Sequence, residues 1–369
     1  MRSGSKRARG RLLGLQAVLF ACLATAGLLA TASNASAKVP AGFFGIDAEL
    51  EDSADYPDMQ DAGFGSYRVA VNWAVAQPTI DGPYDWSQAD TRIYDAAANG
   101  MTPVVGVSGS PGFVHAPSQK GNYPPRSAED LQEWRDFNQA LAERYGPGGT
   151  FYVLHPELAG NAVHTWIMWN EQNSKNNWPP KVDPKGYAKL LKSGQQGLTA
   201  ADPGAEIVLG GMYGYPQDSK SMPATEFLKK LYKVPGIADY FDAIGSHPYG
   251  PDVKSVKKQI KELRAVASKA GDGKVGLYVG ELGWASDGPP RSEEVVGRKG
   301  QAERLEDGLN LLVKKRQAWK VRSVFIYTWK DFPAGTLACS WCAWAGLIEM
   351  NGNPKPALKA VEKVIAKQT

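Results

Sequence analysis

Residues 163–173 read VHTWIMWNEQN, and the change of character inside this stretch decides the fold. Val163–Trp169 is short, rich in β-branched and aromatic residues, and apolar nearly throughout. Strands buried on both faces of a parallel sheet read this way, whereas a strand with one wet face alternates. With no spacer, the chain then turns polar at Asn170-Glu171-Gln172-Asn173. A carboxylate directly after a buried strand is costly unless it is paired, hydrogen-bonded or used.

The same form recurs along the chain. Strands are expected at Phe43–Asp47, Ser66–Val71, Thr102–Val107, Glu206–Gly210, Phe241–His247, Val275–Gly280 and Ser323–Thr328. Between them lie amphipathic helical patterns at Ser53–Ala62, Ser87–Asn99, from Ser127 to Tyr145, from Asp183-Pro184 to before Asp202-Pro203, and at Thr225–Tyr232, Ser255–Ala270, Gln301–Trp319 and Lys355–Lys367. Ser127 with Asp130 has the spacing of a capping box, and Asp183-Pro184 that of an N-cap followed by proline at the first helical position. Eight βα units predict a single-domain α/β fold, the (β/α)8 TIM barrel. The competing fold is an open doubly wound sheet, which normally carries a glycine-rich phosphate turn after its first strand. Here that strand runs into Gly45-Ile46-Asp47-Ala48-Glu49, with no such turn.

Charge and composition narrow the function. The chain has 369 residues with 42 basic and 38 acidic side chains. Five of the basic ones (Arg2, Lys6, Arg7, Arg9, Arg11) and none of the acids precede position 38, so positions 38–369 are nearly balanced. That argues against a nucleic-acid binder, which gathers basic residues into a patch. The basic start, the apolar run from Leu12 to about Ala32 and the small-x-small triplet Ala35-Ser36-Ala37 read as a cleaved secretory leader, with an uncleaved anchor helix as the alternative. The expected organisation is a signal peptide over 1–37 and one barrel over 38–369. The expected product is a secreted monomer with no membrane segment after cleavage. No metal or nucleotide motif is present, and no cofactor is expected.

In a barrel, the catalytic bowl lies at the C-terminal ends of the strands. Strand four ends in Asn170-Glu171, and strand seven in Gly280-Glu281. Both open into the same bowl. Two convergent carboxylates are what glycoside hydrolysis requires: one protonated to assist the leaving oxygen, one ionised to attack the sugar carbon. Each glutamate taken singly could be a structural ion-pair partner.

In these motifs the sequence resembles the clan A glycoside hydrolases, retaining (β/α)8-barrel glycosidases, with families 39 and 5 nearest in appearance. The resemblance spans positions 38–369. It rests on Asn170-Glu171 within WNEQN, Glu281 within VGELGW, Arg68 on strand two, His247-Pro248-Tyr249 after strand six and Trp329 after strand eight. It implies Glu171 as general acid/base and Glu281 as nucleophile. Asn170 would bind the sugar 2-hydroxyl, Tyr249 would donate to Glu281, and Arg68 would keep that carboxylate ionised. His247 would stand between the two glutamates, and Trp329 would floor the sugar site. The substrate implied is a β-linked oligosaccharide or polysaccharide.

Each supporting residue has a structural alternative. Arg68 could be an ion-pair partner inside the barrel, His247 a strand-end histidine and Trp329 a core residue. Trp73, Trp178, Trp284, Trp341 and Trp344 fall on expected loops and are further candidate sugar platforms, whereas Trp86, Trp134 and Trp319 lie on helical patterns. Lys330 and Asp331 are either substrate contacts or rim residues. Cys339 and Cys342 have no nearby histidine to complete a zinc site and no thioredoxin-like surroundings, and they read as a disulfide pinning the loop after strand eight. A barrel that binds glycans without cleaving them and a transglycosylase are the alternative functions. A Schiff-base aldolase is disfavoured, because no strand interior carries a lysine.

Overall fold

The computed structural model describes residues 38–115, 123–216, 218–337 and 339–368; the leader expected over 1–37 lies outside them. Strands β1 (Phe44–Asp47), β2 (Ser66–Asn72), β3 (Thr102–Ser108), β4 (Thr165–Met168), β5 (Glu206–Leu209), β6 (Ala243–His247), β7 (Gly276–Leu282) and β8 (Val321–Tyr327) pair in parallel in chain order. β5 resumes after Gly210-Gly211 as Met212–Tyr213. Val208 opposite Ala243 and Met212 opposite Ser246 join β5 to β6, and β8 pairs with β1, which closes the barrel.

Helices α1 (Asp55–Asp61), α2 (Ser87–Ala98), α3 (Ala128–Tyr145), α4 (Pro184–Ala201), α5 (Ala224–Leu231), α6 (Val253–Lys269), α7 (Gly297–Trp319) and α8 (Pro356–Ala366) alternate with the strands. Two single-turn helices, Trp73–Ala76 and Thr150–Leu154, lie in loops. Helix starts follow the expected chemistry. The Ser127 hydroxyl accepts from the Asp130 amide at 3.0 Å, and the Asp130 carboxylate accepts from the Ser127 amide at 3.2 Å. Asp183 caps α4 through the Lys185 amide at 3.0 Å. The strand expected at Val163–Trp169 is shorter, Thr165–Met168. At its far end Trp169 takes a left-handed φ of 75°, which ends the ladder.

Strand alternation sorts the core into two layers. Val104, Ile167, Val208, Ala243, Tyr278 and Phe325, one from each of β3 to β8, fill the barrel interior. Their neighbours on the same strands, such as Val105, Trp166, Met168, Leu209, Ile244 and Val279, point outward and pack under the helices. The interior is therefore a packed floor, and functional side chains must sit above it, at the strand ends. Among the described residues no helix is long and apolar enough to cross a membrane.

Candidate active site

A cavity of about 830 Å³ opens at the C-terminal ends of the strands. Glu171 and Glu281 both line it, brought there by two different backbone devices. After β4, Trp169 (φ 75°) and Glu171 (φ 44°) are both left-handed, a conformation that non-glycine residues adopt at a cost of about 1–3 kcal/mol each. The turn is held from below. The Glu171 amide donates to the Gly211 carbonyl at 3.1 Å, and Gln172 Nε2 donates to the Gly210 carbonyl at 2.9 Å. Asn173 Nδ2 donates to the carbonyls of Tyr213 and Met222 at 2.7 and 2.8 Å. The polar run after strand four thus splits its work: Asn170 and Glu171 face the cavity, and Gln172 and Asn173 are fully buried anchors.

On β7 the device is a bulge. Val279 pairs with Val324 but Leu282 with Ile326, so β7 spends one residue more than β8 over this interval. Leu277 and Val279 point outward; strict alternation would send Glu281 outward too. The extra residue turns it into the bowl while Leu282 stays in the outer core.

The two carboxylates meet at one imidazole. His247 Nδ1 lies 3.2 Å from Glu171 Oε1 and 3.3 Å from Glu281 Oε2, and one ligand atom from each of the three residues falls within 4.8 Å of the others. A lone pair on Nδ1 would face two carboxylate oxygens, so the proton belongs on Nδ1. The ring reaches this position because Gly211 and Gly280 leave room for it. A Cβ on Gly211 would lie 1.8 Å from His247 Nε2, and one on Gly280 2.9 Å from it.

The surroundings of the two glutamates differ. Arg68 Nη1 donates to Glu281 Oε1 at 2.6 Å and also to the Asp47 carboxylate, while Arg68 Nη2 donates to Asn170 Oδ1 at 2.9 Å. Tyr249 Oη donates to Glu281 Oε2 at 2.7 Å. Glu171 has a looser partner, Asn177 Nδ2, at 3.3 Å. Burial by itself would raise the pKa of Glu281. His247, Arg68 and the Tyr249 hydroxyl outweigh burial and hold it below the usual glutamate value. Burial, then the charge of Glu281, keeps the Tyr249 phenol well above its usual range, so it remains a donor. Asp47 shares Arg68, yet burial, helped by Glu281 and Glu49, pushes it up to about 7. Because a guanidinium has no acceptor, Asn170 must turn its Oδ1 to Arg68, which leaves its amide N–H groups facing the cavity.

Glu171, His247 and Glu281 are close enough to share a cation. Both Glu281 oxygens already accept strong hydrogen bonds, and Arg68 supplies the positive charge, so the donor set fits a hydrogen-bonded pair better than a metal centre.

Several sequence expectations need correction. Trp329 does not floor the cavity: it is 1% exposed, lies edge-on to Phe64 at 6.4 Å and packs into the outer core. The aromatic residues that do line the cavity are Tyr213, Tyr249, Tyr327 and Trp341. Trp73, Trp178 and Trp284 are also core residues rather than platforms. Lys330 is paired with Asp55 at 2.6 Å and Asp331 with Lys355 at 2.6 Å, and neither lines the cavity. Cys339 and Cys342 are disulfide-bonded. Glu49, Asn177 and Tyr327, not among the sequence candidates, also line the cavity. Glu49 carried a signal, since it follows the first buried strand just as Glu171 follows the fourth.

No family model and no curated protein sequence matches the chain. Solved structures do match. A family 39 glycoside hydrolase from the gut symbiont Bacteroides cellulosilyticus WH2 aligns over 90% of this chain at 16% identity, with a TM-score of 0.64. The chain spans 64% of that protein's length, less than two thirds. The GH39 enzyme of Xanthomonas axonopodis pv. citri aligns over 90% of this chain and 68% of its own, at 21% identity and a TM-score of 0.62. A GH5 protein of Streptomyces cattleya aligns over 85% of this chain and 74% of its own, at 15% identity and a TM-score of 0.64. The chain has the fold of the clan A glycoside hydrolases. At such identities the likeness concerns the fold, and the chemistry must be argued from the cavity itself.

Proposed function

We propose that the protein is a retaining glycoside hydrolase acting on a β-linked oligosaccharide or polysaccharide. The observation that carries this reading is the unequal pair at His247. Two carboxylates converge within 4.8 Å, and only Glu281 is held by a guanidinium and a phenol. Retaining enzymes keep their carboxyl groups about 5–5.5 Å apart, and inverting enzymes need about 6.5–9.5 Å to admit a water.

In the first half-reaction, Glu171 gives its proton to the glycosidic oxygen. The carbon–oxygen bond to the leaving group breaks, with the electron pair going to that oxygen, and Glu281 forms a bond to the anomeric carbon. In the second, Glu171 takes a proton from water, the water oxygen bonds to the anomeric carbon, and Glu281 leaves as the carboxylate. Two inversions give retention. Arg68 and Tyr249 stabilise Glu281 whenever it carries charge. The N–H groups of Asn170 face the site of the sugar hydroxyls, and Tyr213, Tyr327 and Trp341 offer apolar surface to the ring.

Glu281→Ala is expected to lose turnover of an activated aryl β-glycoside by several orders of magnitude. Azide should restore it and give a glycosyl azide of inverted configuration, seen by NMR of the product. Undiminished hydrolysis by this variant would refute the assignment.

We further infer that the protein is exported, on the strength of the leader in 1–37. Intact mass of the exported protein should place its first residue at Lys38. A mass that retains the leader would overturn this.

A further inference from the structure

Between β8 and α8 the chain forms one wall of the cavity. Among the described residues of this segment the only helical structure is the 3-10 turn Cys342–Trp344. Its described contribution to the cavity is Leu337 and the run Cys339, Ser340, Trp341 and Cys342. The disulfide encloses Ser340 and Trp341 and brings the two Cα atoms to 5.5 Å, so Trp341 sits inside a closed ring with little backbone freedom. Trp341 is buried, and its indole meets two phenols edge to face: Tyr249 at 5.0 Å and 71°, Tyr327 at 6.2 Å and 75°. Tyr249 is the residue that donates to Glu281 at 2.7 Å. The rings of Tyr213, His247 and Tyr327 also flank Tyr249, at 6.0, 6.3 and 6.4 Å, so Trp341 is the nearest of its ring neighbours, and Gln259 Nε2 donates to the Tyr249 carbonyl at 2.7 Å. Backbone anchoring fixes the Cα and leaves the ring to be oriented by its packing neighbours.

We propose that Trp341, pinned by the Cys339–Cys342 bridge, is a positioning residue that holds the Tyr249 hydroxyl on Glu281 and thereby sets the ionisation of that carboxylate. No motif assigns Trp341 this part, and it rests on the proposed function only for the meaning of Glu281 as nucleophile. The groups facing Glu281 are Asp47 from β1 and Glu49 just after it, Arg68 from β2, Glu171 beyond β4, His247 and Tyr249 at the end of β6, and Tyr327 from β8. Of these, Tyr249 and Tyr327 touch Trp341, and of that pair Tyr249 is the one that donates to Glu281. Loosening Trp341 therefore acts on Glu281 in one direction: a donor is lost and the carboxylate becomes easier to protonate.

The test reads Glu281 itself. In protein labelled with 13C at the glutamate carboxyls and assigned with Glu281→Gln, the Glu281 signal is titrated through the acidic range. Trp341→Ala and the double variant Cys339→Ser/Cys342→Ser should each raise the midpoint by about one pH unit, the scale of one hydrogen bond to a charged group. Tyr249→Phe should do the same. Trp341→Ala added to Tyr249→Phe should give no further shift, and Trp341→Phe, which keeps an aromatic edge, should titrate like the wild type. A wild-type midpoint in Trp341→Ala or in the double serine variant, beside a raised one in Tyr249→Phe, would overturn the proposal. Should Trp341→Ala fail to fold, the serine variant decides alone. Because the readout is a carboxyl and not a rate, a protein that cleaves no glycoside would refute the proposed function and leave this result standing.

Discussion

Glu281 is a charge kept charged inside protein. Removing a carboxylate from water costs several kcal/mol, and that cost is offset only when excellent partners are in place. Here Arg68 and Tyr249 take one oxygen each, and His247 stands 3.3 Å away. The pKa of Glu281 is therefore lower in the folded protein than its ordinary value of 4.5. Between those two values the unfolded chain binds a proton that the folded chain does not. The stabilisation is complete above the ordinary value and is lost as pH falls through the folded one. Glu281→Gln has no such titration, so the stability gap between wild type and this variant should narrow on acidification, as measured by urea unfolding across the acidic range. A constant gap would mean that Glu281 is not preferentially ionised in the fold. At this scale the sequence identified Glu171, Glu281, Arg68, His247, Tyr249 and Asn170, and the structure gathers all six. It misplaced the aromatic floor. Trp329 and Tyr327 are two residues apart at the same strand end, and which ring faces the cavity is set by the packing of Trp329 against Phe64, a contact between residues distant in sequence.

The elements act by where they stop. β4, β6 and β7 each end in a turn or bulge that aims one functional group, and the aiming depends on small residues in neighbouring strands. Gly211, just after β5, makes room for His247 of β6, and Gly280 of β7 does so from the opposite side. Gly211→Ala would put a methyl carbon at 1.8 Å from the imidazole, so the ring must leave its place between the carboxylates. A displacement of about 1 Å at a catalytic group costs on the order of 100-fold in rate. That loss in kcat/KM is the expected result, with the circular dichroism spectrum unchanged. Activity near wild type would show that His247 is not needed at this position. The strands and helices themselves were legible because their patterns are local: buried runs, Ser127 with Asp130, Asp183 before Pro184. The β7 bulge was not legible, because an extra residue is defined only against the partner strand β8.

Across the whole molecule, the last helix ties the bowl together. Lys355, just before α8, is buried, and its Nζ donates to Asp331 at 2.6 Å, to Ser286 Oγ at 2.9 Å and to the Trp344 carbonyl at 3.2 Å. One ammonium thus joins the start of α8 to the segments that follow β7 and β8, the two that carry much of the cavity wall. Burial lowers the pKa of Lys355 and raises that of Asp331, which marks the pair as paid for by its hydrogen bonds. Lys355→Met should destabilise the protein by about 3–5 kcal/mol, because Asp331 is left buried without its partner. Denaturant unfolding measures this, and a loss below about 1 kcal/mol, typical of an exposed pair, would refute a buried clamp. The sequence by itself determined the barrel, the order of its units and the two strand ends that bear the glutamates, because each depends on periodicity and on residues adjacent in the chain. Only the tertiary structure decided which side chains surround those glutamates. Arg68 meets Glu281 across 213 positions, and Lys355 meets Ser286 across 69. Strand alternation, a bulge and glycine clearances fix those meetings, and all three are relations between segments that no single stretch of sequence contains.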